Sequence, residues 1–430
     1  MPLKPNNKTI TAWCWYDWAN SSYSLVITSA IFPSYFLSLS DHSGRGDAWW
    51  QKIGNSVLYA YMYSFASLVL LFLSPLFGSI ADYAGRKKFF MSLFSYIGAI
   101  SCVLLFFSTA DQMALTCTLF IVSSICYSLG VVFYNAYIPE IASPDQFDTV
   151  SAKGFAWGYF GGMVALVISL LMIQFAEKVG FTNEQVQQLV PVRVSFIFIG
   201  VWWLVFARYS LKGLPPDGRH KKINTKAILQ SYSRIVEAFR RARGHKVISI
   251  FLLAFFFYDM GVTTVMGMSS VFATKTLHLT TAHLIGVILI LQLVAIIGSY
   301  LFVIVAKKFN NLVSVKSAVL LWVVVCIIGY LVQNITQFYI MAVLVGLVMG
   351  GTQALSRSAF AALIQGEQDE YATYFSLYDV LDKMGVVLGT FLFGWIEYLT
   401  GSMRASVATL SIFFIIGFIF LQLINKAWKR

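Results

Sequence analysis

Long apolar runs divide this sequence, and they limit what the chain can fold into more than any other feature. The runs are about 18 to 25 residues long, which is the length at which a helix crosses the ~30 Å hydrocarbon core of a bilayer. Charged residues make up only 12% of the 430 residues, and hydrophobic residues make up 58%. A soluble protein of this size needs a more polar surface than so few charges supply. The sequence therefore predicts an all-α polytopic membrane protein.

The apolar runs between polar breaks predict twelve membrane helices. Their expected ranges are 12–36, 55–80, 89–109, 113–138, 154–176, 192–211, 247–273, 284–306, 317–336, 338–364, 374–398 and 405–425. The first run lacks the basic, apolar and small-residue pattern of a cleaved signal peptide, because Asp17, Asn20 and several aromatic residues interrupt it. We therefore expect this run to remain as the first membrane helix.

Basic residues are concentrated on one side of the predicted bundle. Twelve helices place both termini on the same side, and that side carries 22 Lys and Arg residues against six in the opposite loops. An excess of positive charge marks the cytoplasmic side of a membrane protein. Both termini are therefore expected in the cytoplasm. Because the net charge of +12 follows this pattern, it indicates topology, and no nucleic-acid partner is expected.

The longest predicted connection joins the sixth and seventh helices and covers residues 212–246. It contains ten basic residues against Asp217 and Glu237. An apolar stripe within it predicts an amphipathic helix and comprises Ile228, Tyr232, Ile235 and Phe239. We interpret the segment as a strap between two halves of the protein. The alternative is a regulatory helix that lies on an anionic lipid leaflet.

A short motif recurs at the start of each predicted half. Tyr16 and Asp17 belong to WYDWANSSYSLVITS in the first helix, and Tyr258 and Asp259 belong to FFYDMGVTTVMGMSS in the seventh. Two halves of equal orientation, joined by a long loop, are typical of transporters built from parallel repeats. The expected organisation is an N-terminal six-helix bundle over 1–211, a basic linker over 212–246 and a C-terminal six-helix bundle over 247–430.

The segment GSIADYAGRKK, which runs from Gly78 to Lys88, joins the second and third predicted helices. Gly78 and Gly85 permit a tight turn and close helix contact, and Arg86 starts a basic cluster suited to the inner leaflet. The segment resembles the signature loop of the major facilitator superfamily. That resemblance implies that Asp82 braces the closed cytoplasmic side of the protein against the other half.

Four further stretches are similar to one branch of that superfamily. They read YDWANSSYSLVITSAIFPSYF, FYNAYIPEIA, VSAKGFAWGYFGG and GGTQALSRSAFAALI. The branch contains the autophagy-related vacuolar amino-acid effluxers and many bacterial permeases. The resemblance implies two six-helix bundles related by a pseudo-twofold axis, with helices one, four, seven and ten lining a central cavity. The short chain is typical of bacterial members, so the inner membrane is the expected location.

Polar side chains inside the membrane helices mark the expected pathway. A charge at the bilayer centre costs about 2.5 to 3.5 kcal/mol on insertion scales, so such residues face protein or water. The candidate pathway residues are Asp17, Asn20, Tyr134, Asn135, Asp259, Gln353 and Arg357. Asp259 is the first candidate for proton coupling, because it lies about twelve residues into its predicted helix, nearer the midplane than Asp17. The alternative for both aspartates is a structural role as a cap or ion pair.

A second set of residues is expected to control conformation. It comprises Gly78, Asp82, Gly85, Arg86, Lys153, Asp379, Asp382 and Lys383. The four-residue spacing of Asp379 and Lys383 predicts an ion pair on one helix face. Arg357 is interpreted as a lock of the inner gate, which pairs with Asp17 or an acid of the eleventh helix. The alternative is that Arg357 binds a substrate carboxylate.

The expected function is secondary active transport by alternating access. The resemblance implies export of a small polar solute, such as an amino acid. Protons are the expected driving ion, and the alternative is that the solute gradient drives export. The five cysteines and five histidines show no metal-ligand spacing, and no phosphate-binding loop is present, so no metal, cofactor or ATP is expected. We expect a monomer without enzymatic activity. The alternatives are a transport-inactive receptor or lipid-handling protein, and an intramembrane aspartyl protease, whose flanking motifs are missing around Asp259.

Overall fold

The computed structural model describes residues 7–39, 55–218, 225–279, 281–367 and 370–424. Within these ranges, the side chains of residues 55–57, 60, 225–232, 234, 281 and 282 lie outside the description. The expected positions of the two chain ends and of the loop over 40–54 also fall outside it. Nearly all described residues are helical, as the apolar runs predict.

In the described ranges, twelve long helices form the two bundles. They are α1 (Asn7–Leu39), α2 (Asn55–Ala84), α3 (Lys87–Leu104), α4 (Met113–Ala136), α5 (Phe147–Gln174), α6 (Val190–Gly213), α7 (Lys246–Leu277), α8 (Thr281–Phe309), α9 (Asn311–Leu331), α10 (Ile335–Leu363), α11 (Tyr371–Thr400) and α12 (Met403–Leu423). Among the described residues, eleven helices have both the length and the apolar composition of a membrane span. Helix α11 has the length and carries Asp379, Asp382 and Lys383 in its first half. Helix α1 contains wider π-helical turns over Tyr23–Ala30.

Capping residues set several helix ends and correct the expected boundaries. Asn310 accepts a hydrogen bond from the backbone N–H of Val313 at 2.9 Å, so α9 begins at Asn311 and not at 317. Helix α5 begins at Phe147, seven residues before the expected start at 154, and Lys153 therefore lies within a helix and not in a loop. At the end of α2, Gly85 has φ of +63°, which favours glycine and ends the helix.

The helix contacts repeat with an offset of six. In the first half, α1 packs on α5 and α6, α3 packs on α4 and α6, and α2 packs on α4. In the second half, α7 packs on α11 and α12, α9 packs on α10 and α12, and α8 packs on α10. Between the halves, α5 packs on α8 and α11 packs on α2. A shift of six in the helix numbers converts one of these pairs into the other. These pairings establish two six-helix bundles with pseudo-twofold symmetry.

Glycines allow the helices of each half to approach closely. Gly154 and Gly158 on α5 lie against Trp13 and Asp17 on α1, as the glycine spacing in α5 predicts. In the second half, a methyl group added at Gly350 on α10 would lie 2.1 Å from the carbonyl oxygen of Ala295 on α8. Since that neighbour is backbone, it cannot move aside without shifting a helix.

Replacing Gly350 with alanine should therefore destabilise the protein by about 1 to 3 kcal/mol through overpacking. The measurement is thermal unfolding of the purified protein in detergent. Gly267→Ala on α7 is the matched control, because its added methyl group meets nothing within 4 Å. Equal melting temperatures for the two variants would contradict the packing between α8 and α10.

The segment between the halves forms a helix, Thr225–Gly244, here called the linker helix. It packs against α2, α7 and α11, so it bridges both halves at the end that carries Gly85. Among the side chains that the structure describes on this helix, Ala238 and Ala242 are buried, whereas Phe239 of the expected apolar stripe is 58% exposed. The side chains of Ile228 and Tyr232 lie outside the described residues. The interpretation of this segment as a strap stays a prediction.

Candidate functional site

Arg357 lies at the centre of a buried polar cluster between the halves. Its side chain extends from α10, and the residue is only 3% exposed. Its Nε donates to the Ser151 hydroxyl at 2.9 Å, and its two terminal nitrogens donate to the Ser151 carbonyl at 2.7 Å and to Asn135 Oδ1 at 3.2 Å. The Asp17 carboxylate lies 3.7 Å away. A buried guanidinium is tolerated when its donors are satisfied in this way.

Three aromatic rings surround the same guanidinium. Its central carbon lies 3.9 Å from the ring centre of Phe155, 5.0 Å from that of Trp13 and 5.3 Å from that of Tyr134. Each ring is close enough for a cation–π interaction. We call the group of Trp13, Asp17, Tyr134, Asn135, Ser151 and Phe155 the arginine pocket.

Polar contacts continue along the interface between α5 and α10. The Ser151 hydroxyl donates to the Ala354 carbonyl at 2.7 Å, and the Tyr159 hydroxyl donates to the side-chain oxygen of Gln353. Nearer the end of the bundle, Asp148 accepts from the Ser358 hydroxyl and from the side-chain amide of Asn311. These contacts hold the two halves together at the end that carries Gly85 and the linker helix.

Asp82 joins the halves at the same end. Its carboxylate accepts hydrogen bonds from the Thr373 backbone N–H at 2.7 Å and hydroxyl at 2.8 Å, and from the Ala372 N–H at 3.3 Å. These donors belong to the first turn of α11, where a negative charge is favourable. Gly78 permits the approach, because a methyl group added there would lie 2.7 Å from the Ala372 carbonyl oxygen.

Basic residues support this contact in a way that the signature loop did not predict. Lys87 forms an ion pair with Asp82 at 3.5 Å and a hydrogen bond with Glu140. Arg86, the expected gating residue, stacks on Phe89, and its buried Nε has no hydrogen-bond partner among the described residues. On the linker helix, Arg241 forms ion pairs with Glu367 and Glu370 in the connection between α10 and α11.

A second cluster lies deeper in the C-terminal half and contains three acids and one base. Lys383 forms ion pairs with Asp382 at 2.6 Å and with Asp379 at 3.7 Å, both on α11. Asp259 on α7 faces Asp382, and Lys383 is close to both. We call these four residues the acid–lysine cluster. Its Asp382 side chain is 26% exposed, whereas one carboxylate oxygen each of Asp259 and Asp379 is buried and has no hydrogen-bond partner among the described residues.

The structure therefore groups the expected pathway residues into two clusters. Asp17, Tyr134, Asn135 and Arg357 come together in the arginine pocket, and Gln353 lies one helical turn before Arg357. Asp17 lies about 15 Å along the helix axis from Asn7, the first described residue of α1. Asn20 is 2% exposed, and its side-chain oxygen has no hydrogen-bond partner among the described residues. Lys153 donates to the Thr11 hydroxyl at 3.4 Å.

Sequence reasoning missed the residues of α5 that face α10. Ser151, Phe155 and Tyr159 follow one another at four-residue spacing, which places them on one helix face. Gln353 and Arg357 show the same spacing on α10. Two stripes of polar and aromatic residues at this spacing are a signal that could have paired these helices.

The fold and the buried polar clusters define a class of protein, a membrane transporter with the major facilitator fold. Solved structures with this fold include the human organic anion transporter MFSD10, with a TM-score of 0.73, 13% identity and coverage of 97% of this chain and 100% of that one. The transporter FucP in its outward conformation has a TM-score of 0.71, 12% identity and coverage of 96% and 98%. At this identity the likeness establishes the fold.

Within that class, the chain belongs to the family described as vacuole effluxer Atg22 like, whose model matches residues 5–430. The MFS-type transporter YxiO of Bacillus subtilis is 30% identical, over 99% of this chain and 96% of its own length. Autophagy-related protein 22 of Kluyveromyces lactis is 23% identical, over 95% and 92%. The chain is thus an integral multi-pass membrane protein of a transporter family.

Proposed function

We propose that the protein exports a small polar solute, such as an amino acid, by alternating access and with protons as the coupling ion. The end that carries Gly85 and the linker helix is the cytoplasmic end in this proposal, and the membrane is a bacterial inner membrane. The observation that carries the proposal is the pair of separate charged clusters. One closes the cytoplasmic end, and the other combines carboxyl groups that can hold a proton with a base.

The acid–lysine cluster is suited to proton coupling. Asp259 and Asp382 lie on different helices of one half, and two neighbouring carboxyl groups can hold a single proton between them. Lys383 lies within ion-pair distance of both Asp379 and Asp382. Adding a proton to Asp259 and Asp382 weakens the attraction between Asp382 and Lys383, and Lys383 then depends more on Asp379. Protonation thereby changes the contacts of α11, the helix that Asp82 holds at the cytoplasmic end.

The closed cytoplasmic end corresponds to the release state of the proposed export cycle. Arg357, Asp82 and Arg241 each cross between structural units there, so the solute must leave on the opposite side when these contacts are formed. For export, the solute enters when the contacts open and is released after they form again. Protons that enter the acid–lysine cluster from outside would drive the return.

The test is transport by the purified protein in liposomes. Radiolabelled amino acids and amines are loaded inside, a pH gradient is imposed, and solute movement is followed with and without the protonophore that collapses the gradient. We expect at least one solute to move with the gradient and to slow when the gradient is collapsed. No movement of any solute, combined with normal folding, would favour the transport-inactive receptor.

A further inference from the structure

The guanidinium of Arg357 comes from one half of the protein, and the pocket around it comes from the other. Every residue of the arginine pocket belongs to α1, α4 or α5. Arg357 reaches this pocket from α10 across the interface. If the halves separate at the cytoplasmic end, Arg357 leaves and the pocket stays with the N-terminal half.

Contacts within the N-terminal half hold the pocket together. Trp13 donates from its indole N–H to the Tyr134 carbonyl at 2.8 Å, and the two rings stack with centres 4.2 Å apart. The Tyr134 hydroxyl donates to Asp17 at 3.0 Å. Gly154 lets α5 approach closely. A methyl group added there would lie 2.6 Å from Cζ3 of Trp13 and 2.6 Å from the hydroxyl oxygen of Tyr134. As none of these contacts involves Arg357, a rigid-body movement of the halves leaves the pocket intact.

The chemistry of the pocket selects a cation that carries N–H donors. Three ring faces and one carboxylate attract positive charge. Arg357 donates hydrogen bonds to the carbonyl and hydroxyl oxygens of Ser151 and to the amide oxygen of Asn135. These oxygens are available to another N–H donor when Arg357 leaves. When Arg357 withdraws, the Asp17 carboxylate loses the positive charge that it faces in the closed state. A buried, unpaired charge is unfavourable, so the vacated pocket attracts another cation.

We propose that this pocket binds the ammonium or guanidinium group of the transported solute while the cytoplasmic end is open, and that Arg357 displaces this group as the end closes. The inference rests on the proposed transport function and names its substrate class, solutes with a cationic nitrogen group. Arg357 then competes with the solute for one site. In the closed state, each of the three guanidinium nitrogens already donates a hydrogen bond within the protein, which disfavours the alternative that Arg357 binds a substrate carboxylate.

Binding to the purified full-length protein tests the competition. The probes are n-propylguanidinium, which reproduces the end of an arginine side chain, n-propylammonium, and the uncharged isostere n-propylurea. Arg357→Ala removes the internal competitor, so it should bind a cationic probe at least about tenfold more tightly than the unmodified protein. Propylurea should show no gain. In the double variant Arg357→Ala with Asp17→Asn, this gain in affinity should disappear. The affinities of Arg357→Ala for the two cationic probes show whether the pocket prefers a guanidinium or an ammonium group.

A conformational measurement separates competition from the filling of an empty cavity. Spin labels at Asp145→Cys and Lys307→Cys, both exposed at the cytoplasmic ends of opposite halves, report the opening in a protein that retains Arg357. Saturating propylguanidinium should shift the label distances towards longer values, since binding requires Arg357 to leave. If Arg357→Ala does not fold, Arg357→Lys provides the weakened competitor for the same comparison.

Three outcomes would overturn the inference: equal affinity with and without Arg357, a gain that persists without the Asp17 charge, or unchanged label distances at saturation. The proposed function fails differently. If a cationic probe binds with the expected pattern but no solute crosses the membrane, the pocket inference stands and the proposed transport function is excluded. If solutes without a cationic nitrogen cross the membrane and Arg357→Ala shows no gain in binding, the transport function stands and the pocket inference is excluded.

Discussion

Asp259→Asn is expected to abolish solute movement driven by a pH gradient in liposomes. Asparagine keeps the shape of the side chain but cannot take up and release a proton, so the carboxyl pair with Asp382 is lost. Exchange of labelled for unlabelled solute across the same membrane should continue, because it needs no net proton movement. The two rates, measured in the same liposome preparation, separate a coupling residue from one that only supports the fold.

Glu397→Gln is the matched control for this substitution. Glu397 also lies in the C-terminal half, but it pairs with Lys275 at 3.9 Å, and the two side chains are 32% and 64% exposed. An exposed ion pair of this kind contributes little, so driven transport should remain near the unmodified rate. Undiminished driven transport in Asp259→Asn would exclude this residue as the coupling site. Loss of exchange together with driven transport would indicate a structural role.

Gly78→Ala is expected to open the end of the protein that carries Gly85 and the linker helix. The added methyl group lies 2.7 Å from the Ala372 carbonyl oxygen and 3.0 Å from Ser376 in the closed state. Overpacking of this kind costs about 1 to 3 kcal/mol, which changes the ratio of closed to open molecules by a factor of roughly 5 to 150. The spin-label pair at positions 145 and 307 should therefore show longer distances without any ligand.

Gly394→Ala provides the comparison on α11. A methyl group there meets nothing within 4 Å, and alanine favours a helix by about 1 kcal/mol over glycine. Its label distances should match those of the unmodified protein. If Gly78→Ala keeps the short distances, the contact between α2 and the start of α11 does not hold the closed state.

Hydrophobic pattern alone predicted the twelve helices, because the length of an apolar run is set directly by the thickness of the bilayer. Helix ends were less accurate. Helix α5 begins seven residues before its expected start, since an amphipathic turn that faces the other half need not be apolar. Lys153 was placed in a loop for this reason, although it lies in the helix. Capping by Asn310, a local signal, could have placed the start of α9 correctly.

The candidate site was only partly predictable, for a different reason. Rare charges within apolar runs identify themselves, and Asp17, Asp259 and Arg357 were found in this way. Their partners include Ser151 and Phe155, which are common residue types in membrane helices and become informative only when two helices are paired. Lys87 illustrates the same limit. Its position in a basic loop suggested contact with the leaflet, whereas the fold places it between Asp82 and Glu140.

The cross-contacts between the halves include α5 with α8 and α11 with α2, and these two pairs have a mechanical consequence. These two helix pairs occupy equivalent positions in the two repeats. A rotation that separates the helices of one pair at the end that carries Gly85 therefore separates the helices of the other pair equally. Neither half has to bend or lose an internal hydrogen bond during such a movement. A rotation about a single axis through the centre of the molecule is then sufficient to open the interface between the halves at the end that carries Gly85.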